Sequence, residues 1–199
     1  MEEFTQFYQN GIKFHKEGEF KKAISNFILA LKLNPDDHKT LYNLANVYAD
    51  IDEVDKATNL YKKIKNMNST TPAVYYNLGN MLLDENNFED AILEYDTAIG
   101  LNPKFVNAWF NRGVAKFSLQ LLDDAIIDFE ETLKLDSTFH HSMYNLACIY
   151  SIKNQPTESI NYLKQILGMK TGLDYYQIIK YDENLNNIRE EEEFLSLLS

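Results

Sequence analysis

The chain has 199 residues, 45% of them hydrophobic and 25% charged, which suits a globular fold with a substantial core. Its formal net charge of −11 makes nucleic acid and anionic membranes poor partners, because both are bound through phosphate neutralisation by Lys and Arg. Seven Gly, four Pro and one Cys argue against a turn-rich all-β chain and an internal disulfide framework, so a reducing, cytoplasmic setting is expected.

In chain order, "MEEFTQFYQN" is acidic and lacks the basic start and apolar run of a signal peptide. No stretch approaches the roughly 18 apolar residues of a membrane span. A repeat then dominates. Ala23, Ala57, Ala91 and Ala125 recur at a spacing of 34, continued by Ser159. Gly11, Ala45, Gly79, Gly113 and Ala147 keep the same spacing, as do Phe27, Tyr61, Tyr95, Phe129 and Leu163. These registers place repeats at 4–37, 38–71, 72–105, 106–139 and 140–173.

Each repeat reads as two amphipathic helices. Within 72–105, Leu78, Met81 and Leu82 share one face and Phe88, Ala91, Ile92 and Tyr95 another. Gly18, Asp52, Asn86, Gln120 and Asn154 fall between the paired helices, where Gly and Asn tolerate a left-handed helix end. Thr71-Pro72 reads as a capped helix start, Pro156 as another first helical position, and Asn34-Pro35 and Asn102-Pro103 as helix ends. The small-residue series lets two helices cross closely while the aromatic series fills the space beside it.

This pattern resembles the tetratricopeptide repeat (TPR) family, whose unit is a 34-residue helix–turn–helix. The bulky fourth position holds Phe7, Leu41, Tyr75, Trp109 and Met143, and Phe14, Tyr48 and Tyr150 give the aromatic eleventh. Leu82 and Lys116 depart from that eleventh position. The resemblance implies an all-α solenoid of helical hairpins, right-handed, covering about 4–173. Residues 174–199 leave the register, and their "LNNIREEEEFLSLL" ending is similar to segments that follow other TPR arrays. That segment is expected to cap the last repeat as part of the same domain.

Candidate chemistry is thin. His15, His38, His140 and His141 lack the Cys or His neighbours of a zinc site, Cys148 has no evident basic partner, and no Gly-rich phosphate loop occurs. A non-enzyme without metal or cofactor is expected, acting as a protein-interaction adaptor or scaffold. The resemblance puts the first helix of each unit on a concave groove. Its fifth position holds Tyr8, Tyr42, Tyr76, Phe110 and Tyr144, and its sixth holds Asn43, Asn77, Asn111 and Asn145 after Gln9. Asn46 and Asn80 occupy the ninth.

A carboxamide donates and accepts together, so it can pair with both halves of a peptide backbone. The Asn series resembles the ladder of O-linked N-acetylglucosamine transferase superhelices, which holds extended peptides. The same Asn residues also fit a role bracing neighbouring helices, and the sequence leaves both roles open. The cations with which TPR units grip acidic chaperone tails are missing: the corresponding places hold Tyr8, Ile12, Asn43, Ala73 and Asn77. Such a tail is not the expected partner. Self-association through a solenoid end, or regulation of a catalytic partner, remains a rival to peptide binding.

Overall fold

The computed structural model describes residues 1–169 and 175–198, so the predicted boundary between residues 173 and 174 lies outside it. The described residues form helices and no strand. They pack into two compact units, Met1–Pro103 and Lys104–Ser199. The first holds α1 (Glu2–Lys16), α2 (Phe20–Leu33), α3 (His38–Asp50), α4 (Val54–Asn66), α5 (Pro72–Asp84) and α6 (Phe88–Leu101). The second holds α7 (Val106–Ser118), α8 (Leu122–Leu135), α9 (His140–Ile152), α10 (Pro156–Leu167), α11 (Tyr175–Tyr181), a 3-10 helix (Glu183–Ile188) and α12 (Glu192–Leu197). Each odd-numbered helix from α1 to α9 packs most closely on the helix that follows it.

The turn inside each hairpin explains the punctuation in the sequence. Gly18, Asp52, Asn86, Gln120 and Asn154 all have positive φ, between 55° and 72°. The next amide then reaches back across the helix end: Glu19 N–H to the Phe14 carbonyl at 2.8 Å, Asn87 to Leu82 at 2.8 Å, Leu121 to Lys116 at 2.9 Å. This is the bond that satisfies otherwise orphaned carbonyls when one left-handed residue ends a helix. Gln120 takes that conformation without the local hydrogen-bonding side chain that eases it for Asn or Asp.

The close crossing is equally concrete. A Cβ added at Gly79 would lie 2.6 Å from the Tyr95 ring, so the ring itself occupies the space that glycine leaves. Phe27, Tyr61, Tyr95, Phe129 and Leu163 are buried to within about 1% of their surface, and the rings of Phe27 and Phe129 press on Gly11 and Gly113 as Tyr95 does on Gly79. Ser159, which breaks the Ala series, donates its hydroxyl to the Ala147 carbonyl at 2.7 Å and is thereby tolerated in the core.

Pro72 and Pro156 sit at the first turns of α5 and α10. Thr71 precedes α5 but its side chain makes no cap bond. Its amide instead donates to Ser69 Oγ at 3.1 Å, and Tyr75 Oη donates to the Ser69 carbonyl at 2.8 Å. The start of α5 is therefore fixed by this Ser69–Tyr75 knot rather than by a threonine cap.

Departures from the repeat pattern also find their partners. Lys116, standing where an aromatic is expected, reaches the fully buried Asp128 at 2.8 Å, and Arg112 grips the same carboxylate through Nε at 2.9 Å and Nη2 at 2.6 Å. Beyond α10, Tyr175, Ile179, Leu185, Ile188 and Phe194 join Met143, Ala147, Cys148, Ile160, Leu163 and Ile166 in one apolar cluster. Arg189 holds this segment together by donating to the carbonyls of Lys180 and Asp182.

Candidate functional site

The fifth-position aromatics are half-buried, each lying against a deeper ring. Centroid separations are 6.2 Å for Tyr8–Phe27, 6.0 Å for Tyr42–Tyr61, 6.1 Å for Tyr76–Tyr95 and 5.7 Å for Phe110–Phe129. In the fifth repeat, where Leu163 offers no ring, Tyr144 meets Tyr175 at 5.5 Å instead. The Tyr144 hydroxyl donates to Asp182, so this predicted groove residue faces the C-terminal segment of its own chain. Burial, and then that carboxylate, push its phenol well above the usual range. Cys148 shares this environment and is pushed up to about 12, chiefly by desolvation. A thiol held that high is protonated and unreactive at neutral pH.

The ninth position has a function the sequence reading missed. Buried Tyr61 donates its hydroxyl to Asn46 Oδ1 at 2.5 Å, and buried Tyr95 donates to Asn80 Oδ1 at 2.8 Å. Where the buried partner has no hydroxyl, the ninth residue is not Asn: Ile12 goes with Phe27, Val114 with Phe129 and Cys148 with Leu163. A buried phenol needs an acceptor, and the repeat supplies one only where it is needed. Desolvation raises the Tyr61 phenol far above its normal range. The signal lay in reading two series together: Asn appears nine residues into a unit only when Tyr stands fifteen residues later.

The sixth-position carboxamides are partly engaged within the chain. Asn43 Nδ2 donates to the Lys39 carbonyl at 2.8 Å and to Tyr8 Oη at 3.2 Å. Asn145 Nδ2 donates to the His141 carbonyl at 2.9 Å. Asn77 Nδ2 donates to Tyr61 Oη at 2.9 Å and to Asn46 Oδ1 at 3.3 Å. Asn111 lies half-buried on α7.

Two groups remain within this network. Asn46 uses only its oxygen and Asn77 only its nitrogen among the described residues. That leaves the Asn46 Nδ2 donor and the Asn77 Oδ1 acceptor. Both residues line a cleft of about 540 Å³ in the first unit, together with Ala49, Val54, Tyr61, Asn80, Met81 and four carboxylates. The structure thus brings together Asn46, Asn77 and Asn80 of the expected site. Asp50 and Asp84 stand at the thirteenth place of their repeats, which the family resemblance also turns toward the groove, whereas Asp52 and Glu85 were not expected there.

Among the described residues no group of three or more His, Cys, Asp or Glu could hold a metal ion, and no helix is long and apolar enough to cross a membrane.

Comparison with known proteins agrees with this architecture. Family models described as TPR repeat and tetratricopeptide repeat match residues 79–120, 14–79, 106–139 and 140–171. The photosystem I assembly protein Ycf3 of Parasynechococcus marenigrum (strain WH8102) is 33% identical over 70 residues, which is 34% of this chain and 40% of that protein. The chain therefore matches less than half the length of that curated relative. The crystal structure of MamA is 28% identical with a TM-score of 0.77, covering 83% of this chain and 91% of that one. YrrB, described as a TPR protein with an unusual peptide-binding site, is 20% identical with a TM-score of 0.73, covering 82% and 84% respectively, and shares the fold. The chain is an all-α member of the tetratricopeptide repeat family.

Proposed function

We propose that this protein is a non-catalytic interaction module, an adaptor or scaffold, which holds an extended segment of a partner protein along the exposed side of α3 and α5. The observation that carries the reading is the pair of unengaged amide groups, Asn46 Nδ2 and Asn77 Oδ1, bordering one cleft. Together they offer a donor and an acceptor, the two functions of a peptide unit. The other bonds of the same side chains fix their orientation, so little further ordering is needed on binding.

Two such bonds contribute about 1–3 kcal/mol net. Ordering an extended ligand costs on the order of 1–2 kcal/mol per residue. Tyr42 and Tyr76 must therefore add apolar contact, and binding of a single short segment is weak. The relatives fit such a role, since one is an assembly protein and YrrB is described with a peptide-binding site. A cytoplasmic setting goes with it, and the single thiol, Cys148, is buried and unpaired.

The test removes Asn46 from the amide pair, and the Tyr61 hydroxyl that orients Asn77, while keeping the core filled. Asn46→Val with Tyr61→Phe installs the apolar pair that Val114 and Phe129 form in the fourth repeat. Binding of the full chain to an array of partner-derived peptides should fall several-fold in this double variant, with helical content unchanged. Undiminished binding would remove the Asn46 donor, and the pairing of the two amides, from the mechanism.

A further inference from the structure

We infer that the surface formed by α7 and the start of α9 binds an aromatic side chain of a partner protein. It goes beyond the amide pair of α3 and α5, because it rests on residues of the second unit alone. In the second and third repeats the fifth, ninth and thirteenth places hold Tyr42, Asn46 and Asp50, then Tyr76, Asn80 and Asp84. The fourth repeat puts Phe110, Val114 and Ser118 there. Phe129 accounts for Val114, since it carries no hydroxyl to be matched. Phe110 is half-buried and Ser118 exposed, so their change of character acts at the surface.

Two further rings join Phe110 at this surface. Phe139, the residue before α9, lies 4.9 Å from it between centroids. His141, the second residue of α9, lies 6.1 Å from Phe110 and 6.0 Å from Phe139. The three rings meet at 46° to 60°, the tilted and edge-on contacts that their quadrupoles favour. Partial burial, and then His140 beside it, hold His141 below the ordinary histidine range, so the group is uncharged at neutral pH. Phe110 and Phe139 remain half-buried and His141 exposed, which leaves ring surface that the core does not cover.

The chain itself indicates what this surface takes. His141 lies 4.3 Å from His140, and Tyr175 of the C-terminal segment is seated edge-on against His140 at 5.7 Å and beside Tyr144 at 5.5 Å. Tyr175 is buried in that seat. One row of rings therefore runs from Phe110 through Phe139, His141 and His140 to Tyr175 and Tyr144, and the chain fills one end of it with an aromatic of its own. Among the described residues the other end, from His141 to Phe110, stays open to solvent. A partner's Phe, Tyr or Trp laid against Phe139 and His141 continues the packing of this internal interface into the open end. An aliphatic side chain would bury area there but forgo the ring-to-ring term. Rings set in such seats are also the side chains that most often anchor protein interfaces.

The experiment titrates isotope-labelled full-length chain by NMR with three short Pro/Ala peptides that carry a central Trp, Leu or Ala. The Trp peptide should shift the amides of Phe110 to Val114 and of Phe139 to Asn145. It should bind about fivefold more tightly than the Leu peptide and about tenfold or more above the Ala peptide. Phe139→Asp should abolish that preference. It gives α9 the residue type with which Asp37 caps α3, so the fold is kept. His141→Ala, at an exposed position, should weaken Trp binding several-fold without changing the melting temperature. A Leu peptide that binds as tightly as the Trp peptide overturns aromatic selection, and so does a preference that survives both variants. Movement of the same amides on dilution without peptide would assign the surface to a second copy of the chain and overturn the inference. Shifts confined to α3 and α5 overturn it too, while leaving the amide-pair reading in place.

Discussion

Consider the single change Asn46→Val. It removes the acceptor for the Tyr61 hydroxyl, which is bonded at 2.5 Å and sits on a side chain only 1% exposed. Asn77 Nδ2 still donates to that oxygen, but the phenolic proton is left without an acceptor. A buried group stranded in this way costs about 1–3 kcal/mol. Tyr61→Phe alone gives up the bond but strands nothing deeply, because Asn46 is half-exposed and can turn to water, so a loss of about 1 kcal/mol is expected. Making both changes reproduces the Val114–Phe129 arrangement and should cost less than either sum suggests. The difference between the double variant and the summed singles is then about 1–2 kcal/mol, well outside the additivity expected of independent sites. Urea unfolding of the four proteins, followed by far-ultraviolet circular dichroism, measures it directly. Losses that add within about 0.5 kcal/mol would refute the pairing and return Asn46 to being an ordinary surface residue.

Three further outcomes follow from the same structure. Gln120→Gly should raise stability by about 1 kcal/mol, since it removes the left-handed strain on a side chain that nothing compensates; a lower melting temperature would contradict this. Asp128→Ala should lower stability by about 3–5 kcal/mol by leaving Arg112 and Lys116 without their buried counter-charge, and denaturant midpoints that match the parent protein would show that the cluster is dispensable. Stability should also decline in alkaline solution. Cys148 and Tyr61 have folded pKa values above their unfolded ones, so the native state holds more protons from about pH 9 upward and stability is lost as pH rises. A melting temperature that stays flat from pH 8 to about 11 would count against that sign.

The fold was legible because its determinants are periodic. Small residues at Gly11, Gly79 and Gly113 and rings at Phe27, Tyr95 and Phe129 recur at one spacing, and each series reports a packing constraint that any hairpin of this kind must meet. The candidate site was legible only in outline. Asn77 was marked by its position, but which of its atoms are engaged depends on Tyr61, sixteen residues away, and on Asn46 in the preceding hairpin. Tyr144 looked equivalent to Tyr42 until the C-terminal segment brought Tyr175 and Asp182 against it. Thr71 looked like a cap because Thr-Pro is a common helix start, but the competing bonds, from the Thr71 amide and the Tyr75 hydroxyl, go to Ser69, which lies outside that dipeptide. Lys116 read as a fault in the pattern for the same reason: its partner, Asp128, lies in the other helix of the hairpin.

The matching of the ninth residue to the buried residue fifteen positions later has a bearing on how such a chain can change. Tyr61 with Asn46 and Tyr95 with Asn80 are both closed inside single hairpins. A duplicated, deleted or transplanted hairpin would carry its polar partnership along intact. By contrast, the bond from Asn77 to Tyr61 and the pair of His15 with Asp50 each join successive hairpins. Those bonds depend on which hairpin comes next. The chain therefore combines polar pairs closed within one hairpin with links specific to the neighbouring hairpin, and rearranging the order of repeats would tax those links and the shared apolar clusters, such as Phe27 with Leu44 and Val47, while sparing the pairs.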